Sequence, residues 1–267
     1  MKRALKLFRY ELKNIIRDSM TIVMLVYPLM LIIVGSFLLP MLLDRFGGDT
    51  QGTMVAGIVM IILFASIAPF VSAALLGFLL LDNKDENTLD TIRVTPMSLS
   101  GYIRFKTVYA YILGVNAAFW VIMGTKWLSG DGYTFTIPGI GTVDLFENFT
   151  IPWVLVYALV AGLFTPVFAL IMASLANNKI EGFAYMKFSG IIILIPALVV
   201  IETMQDAKQY LLGIVPVFWP VKGLMTAAEL LDHEHNLPPI LYLIIGAVFM
   251  IGLTALAYRH FVNTLEK

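Results

Sequence analysis

Along the chain, long uncharged stretches alternate with short charged ones. A bilayer core about 30 Å thick takes roughly 20 apolar residues per helix, and six stretches qualify. They are Thr21–Leu43, Met54–Leu81, Thr107–Thr125, Ile151–Ala176, Ala184–Ile201 and Pro238–Tyr258. Apart from Lys187, near one end of the fifth, none holds Asp, Glu, Lys, Arg or His. A further apolar stretch, Tyr210–Leu231, is broken by Gly213, Pro216, Pro220 and Lys222. Each proline removes a helix hydrogen bond, and Lys222 would lie at mid-membrane if the stretch crossed. We read residues 203–237 as a re-entrant or surface helical hairpin rather than a seventh span.

Composition agrees with the pattern. Only 13% of the 267 residues are charged and 59% are hydrophobic, with a mean hydropathy of +0.86. Soluble domains sit near a quarter charged, so this is the composition of a membrane protein. A net charge of zero gives no argument for a nucleic-acid partner, and the absence of cysteine rules out disulfides and thiolate metal sites.

Charge also orients the chain, because loops facing the cytoplasm carry the excess of Lys and Arg. Six basic residues precede the first span. Lys84, Arg93, Arg104 and Lys106 follow in the loop after the second, Lys179 and Lys187 flank the turn after the fourth, and Arg259 and Lys267 close the chain. The opposite side holds Arg45, Lys126, Lys208 and Lys222. Both termini and the loop 82–106 are therefore expected in the cytoplasm of a multi-pass plasma-membrane protein. Residues 1–18 place Lys2, Lys6, Arg9, Lys13 and Arg17 on one helical stripe beside Leu5, Phe8, Leu12, Ile15 and Ile16. Such a helix lies in the inner interface of the lipid bilayer, its cations near anionic head groups. The fold class expected is thus an all-α membrane protein: six transmembrane helices, an N-terminal amphipathic interfacial helix, and an outer-side hairpin before the last span.

Several chemistries find no residues. There is no Gly-Lys pair, hence no P-loop, and no H-E-x-x-H. Leu128-Ser129-Gly130-Asp131-Gly132 reads as a turn, and Asp232-His233-Glu234-His235 as a solvated loop. No cofactor or catalytic residue is expected. The competing class is an ion-coupled secondary transporter or sodium exporter, which usually places ionisable groups at membrane depth. Here the spans offer hydroxyls, a lone Asn116, and backbone carbonyls beside Pro28, Pro69, Pro166 and Pro196. A non-transport membrane scaffold is the third class.

The loop 82–106 is the one long internal charged segment. Asp85 to Val94 can form a short helix with Leu89 and Ile92 on one face. Pro96 ends it, since the residue before a proline is biased away from helix. Ser98 or Ser100 can cap a new helix running through Tyr102 and Lys106 into the third span. A short helix, a break and a helix fused to a span make a lever. The pattern Glu86, Thr88-Leu89, Thr95-Pro96, Ser98, Tyr102 and Lys106 resembles the inner-loop motif of ABC type-2 transporter permeases, with Asn87 where glycine is usual. The amphipathic start, the six spans, the second inner loop "ANNKIEGFAYMK" and the proline-broken hairpin extend the resemblance along the chain.

The resemblance implies a permease subunit, not itself an enzyme, in an exporter of hydrophobic or amphipathic molecules such as drugs, peptides or lipids. ATP and Mg would be bound by a separate ABC ATPase subunit docking from the cytoplasm, and a second permease chain would complete the membrane domain as a homodimer or heterodimer. It further implies that Asp85, Glu86, Thr88, Leu89, Asp90, Ile92, Arg93, Thr95 and Pro96 couple to the ATPase, with Lys179, Glu181 and Gly182 as a secondary inner-loop contact. Small residues such as Gly35, Ser36 and Ala56 could let helices approach closely, between chains or within one.

Overall fold

Each uncharged stretch becomes a helix, because in lipid every backbone N–H and C=O must be satisfied within the chain. The computed structural model describes residues 19–46, 50–85, 99–137, 139, 141–231 and 235–265. The N-terminal segment 1–18 and Asp232, His233 and Glu234 lie outside the described residues. The helices are α1 (Ser19–Ile33), α2 (Leu39–Phe46), α3 (Thr50–Asp85), α4 (Leu99–Leu128), α5 (Ile151–Ala161), α6 (Phe164–Leu175), α7 (Lys179–Ile192), α8 (Phe218–Ala227) and α9 (Pro239–Leu265). Six stretches of helix are long and apolar enough to cross a membrane, and the chain is an all-α, multi-pass membrane protein.

Proline explains most departures from straight helix. Between α1 and α2, Val34–Leu38 forms a π-helical turn, and the Leu39 N–H reaches back to the Val34 carbonyl. Pro40 two residues on has no N–H to offer the Ser36 carbonyl, and a widened turn relieves its ring. The fourth span is two helices, α5 and α6, joined at Gly162-Leu163. Pro166 cannot donate to the Gly162 carbonyl, which accepts from the Thr165 N–H at 3.1 Å instead.

Pro69, inside α3, deprives the Ala65 carbonyl of its helical donor. Tyr157 on α5 replaces it, its hydroxyl donating to that carbonyl at 2.5 Å. Two neighbouring carbonyls are served in the same way. Tyr27 on α1 donates to the Ala68 carbonyl at 2.5 Å, and Thr165 on α6 donates to that of Pro69 at 3.1 Å. Three helices thus fasten to α3 at one level.

Close approach elsewhere depends on glycine. A Cβ on Gly114 of α4 would lie 2.1 Å from Thr165 Oγ1 and 3.1 Å from the Gly162 carbonyl oxygen. Gly35 abuts Thr125 of α4, with 2.9 Å from a notional Cβ to Oγ1. Gly35 therefore packs within this chain, and Ala56 packs against the main buried cluster.

The end of the bundle where α3 begins carries a small antiparallel hairpin of β1 (Thr134–Ile137) and β2 (Gly141–Asp144), pairing Thr134 with Asp144. The left-handed backbone of Gly139 and Gly141 closes its turn. Tyr133 ties it to the first span by donating to the Gly35 carbonyl at 2.7 Å. Before the last span the chain forms short 3-10 segments, including Ala207–Ile214, then α8. Pro216 falls at their junction, and Pro220 in the first turn of α8, where a missing N–H costs little.

Candidate coupling site

The loop-bearing end of the bundle is built on two helices that outrun the apolar core. At 1.5 Å per residue, the 36 residues of α3 span about 54 Å, well beyond a 30 Å bilayer core. The helix continues past Leu81 through Asp85, and α4 resumes at Leu99 and runs unbroken to Leu128. Asp85 thus ends a helix. Glu86, Thr88, Leu89, Asp90, Ile92, Arg93, Thr95 and Pro96 lie outside the described residues, so the structure places the two roots of the loop.

Both roots are locked. Asp82 forms an ion pair with Lys179 at the start of α7. The Lys84 ammonium donates to the Ala176 carbonyl at 3.1 Å, capping the C-terminal end of α6, where cations are favoured. Asn83 Nδ2 donates to the Tyr102 hydroxyl of α4 at 3.1 Å, and the Lys106 ammonium sits 5.5 Å from that ring's centroid. On α9, Tyr258 donates to the Ser100 carbonyl at 3.0 Å. Beneath these polar links lies a dry cluster of Leu76, Leu80, Ile103, Ala169, Leu170, Ala173, Ala257 and Phe261. Ile103, on the part of α4 that precedes its apolar stretch, has no exposed surface.

The second loop is fixed by its own capping chemistry. The Asn178 side chain accepts from the Glu181 N–H at 2.9 Å, while Glu181 Oε2 accepts from the backbone N–H of Asn177 at 2.8 Å. This is a reciprocal cap on α7. One residue on, Gly182 is buried against Leu81, where a Cβ would fall 2.4 Å from Leu81 Cδ1. Lys179 and Gly182 are thereby joined to the first root, and Glu181 is spent on the cap. An exposed ion pair such as Lys179–Asp82 contributes only about 0–1 kcal/mol, so the group acts mainly as a register between the two loops.

Sequence reasoning reached Lys179, Glu181 and Gly182 but missed their partners Asp82, Asn178 and Leu81, and the Lys84 bond to the Ala176 carbonyl. The N-x-x-E spacing of Asn178 and Glu181 is a readable cap signal. The other pairs are remote in sequence and left no local trace.

Comparison with known proteins agrees with this architecture. Residues 11–258 match the family described as "Fluoroquinolones export permease protein Rv2686c-like". Two proteins of Mycobacterium tuberculosis are similar along nearly their whole length: Fluoroquinolones export permease protein Rv2686c of strain H37Rv and its counterpart MT2760 of strain CDC 1551. Each is 28% identical over 265 residues, covering 97% of this chain and 94% of the relative.

Proposed function

Given that the chain belongs to the Rv2686c-like family of fluoroquinolones export permease proteins, we propose that it is the membrane subunit of an ATP-driven ABC exporter. Its substrate would be a hydrophobic or amphipathic molecule of the kind its relatives are named for, and a separate ATPase would supply the energy. The observation that carries this reading is the locked pair of roots at Asp82–Lys84 and Ser100–Lys106. A segment held at both ends by two long helices, and linked through Ala176, Lys179 and Tyr258 to three more, passes a push from a docked protein into five spans at once.

The experiment is ATP-driven efflux from vesicles holding the permease and its ATPase, with norfloxacin as the probe. We expect export to stop when ATP is withdrawn and to continue when a protonophore collapses the proton gradient. The opposite pattern would establish ion coupling and remove the ABC reading.

Both termini would face the cytoplasm, with the β-hairpin and α8 outside, and a second permease chain would pack along α7. Only 17% of the fifth span is buried within its own chain, against 72% of the fourth, which leaves Phe188 and Ile191 free for a partner. The native chain lacks cysteine, so single-cysteine variants report cleanly. A cysteine appended after Lys267 is expected to react only from the inner side, and one at Ile191 to cross-link to a second copy. Labelling of the C-terminus from outside would invert the topology.

A further inference from the structure

Lys222 lies within α8 and is 1% exposed. Its ammonium has no hydrogen-bond partner among the described residues, and neither has the Thr226 hydroxyl. Residues four apart share a helix face, so the two side chains leave α8 on the same side. The ammonium offers three N–H donors and the hydroxyl one O–H donor, and among the described residues none of these meets an acceptor.

The surroundings are apolar. Val221, Leu224 and Met225 of α8 belong to the same buried cluster as Val199 and Leu212 of the neighbouring 3-10 segments. Burial pushes the Lys222 pKa from 10.5 down to about 8. An ammonium with no counter-ion among the described residues adds nothing to stability, and an apolar residue of similar volume would often serve the fold better. An oxyanion is what the pair lacks, since its two oxygens can accept from the ammonium and the hydroxyl in charge-assisted bonds. One turn before Lys222, Trp219 helps line an apolar groove of about 490 Å³ with Gly213, Ile244, Ile245, Val248 and Phe249. Lys222 lies one turn along α8 from that groove rather than in its lining, and the groove suits the apolar body of an amphiphile.

We propose that Lys222 and Thr226 bind the acidic group of an amphipathic anion carried by this protein. The inference rests on the export reading and names the substrate's charge. A carboxylate on a transported molecule and the phosphate of a lipid headgroup share this chemistry, and the test separates them.

The test uses the full chain in nanodiscs and two fluorescent probes, a diethylaminocoumarin carboxylate and its neutral primary amide, with affinity read by anisotropy. Wild type is expected to prefer the carboxylate by about tenfold or more, as for a charge-assisted bond in a dry site. Lys222→Met should erase that preference without weakening amide binding, while melting at or above the wild-type temperature. Lys222→Arg should keep most of the preference, and Thr226→Val should reduce it. Lys222→Met retaining the preference, or losing both probes alike, overturns the proposal. So does wild type without preference together with a phospholipid that co-purifies with wild type and not with Lys222→Met, since the oxyanion would then be a lipid phosphate. ATP-driven export of the amide is measured alongside. Its persistence in Lys222→Met upholds the export reading whatever the binding result, whereas wild type exporting neither probe sinks that reading by itself.

Discussion

Permease carrying Glu86→Arg together with Leu89→Asp is expected to reach the membrane at wild-type level, to lose its ATPase on co-purification, and to export nothing. Glu86 and Asp90 are negative charges of the loop, and in the proposed coupling Leu89 and Ile92 would be its apolar anchor. Removing one desolvated partner of an interfacial charge pair costs about 2–5 kcal/mol, whereas a rim charge costs little. Reversing that charge while burying an aspartate at the anchor leaves no compensating contact. If the loop forms the short helix expected from its sequence, part of the acidic residues' role would be local, since negative groups near a helix start gain about 0.3–1 kcal/mol from the dipole. The double variant separates the two roles, because a local effect leaves the ATPase bound. Folding should survive, for the links at Asp82, Lys84, Tyr102 and Lys179 do not involve the substituted side chains. Undiminished co-purification with undiminished export would reduce the loop to a topological connector.

Gly114→Val is the second large effect, and it acts on the fold. Its Cβ would fall 2.1 Å from Thr165 Oγ1, the atom that donates to the Pro69 carbonyl. Overpacking of this kind costs about 1–3 kcal/mol, and loss of the Thr165 hydrogen bond to the Pro69 carbonyl costs about 0.5–1.5 kcal/mol more. Gly252→Ala is the control, because a Cβ there meets nothing within 4 Å. We expect the first variant to melt well below wild type in detergent and the second to match it. Equal melting of the two would show that α4 does not depend on contact at Gly114.

The six spans were legible because charge is costly in lipid and the chain keeps it out of them. Their ends were less so. Polarity suggested that the second span stops at Leu81, yet α3 runs to Asp85. Asp82, Asn83 and Lys84 find their partners in Lys179, Tyr102 and the Ala176 carbonyl, all remote in sequence. The β-hairpin was overlooked, although Thr134–Ile137 alternates and Pro138-Gly139 is a turn signal. Its apolar neighbours drew the eye to spans instead. Lys222 stood out as a charge in an apolar stretch just after two prolines, but only the packing of α8 reveals that it is covered.

The three hydroxyls around Pro69 bear on how this fold can change by mutation. Proline at that position is tolerable only while Tyr157 serves the Ala65 carbonyl, and Tyr157 is best satisfied only while that carbonyl lacks its own helical donor. Such a pair is contingent: losing the tyrosine while the proline stays leaves a buried carbonyl without its donor. A substitution at any one of Tyr27, Pro69, Tyr157 and Thr165 is therefore felt by the other three, through carbonyls of a single turn of α3.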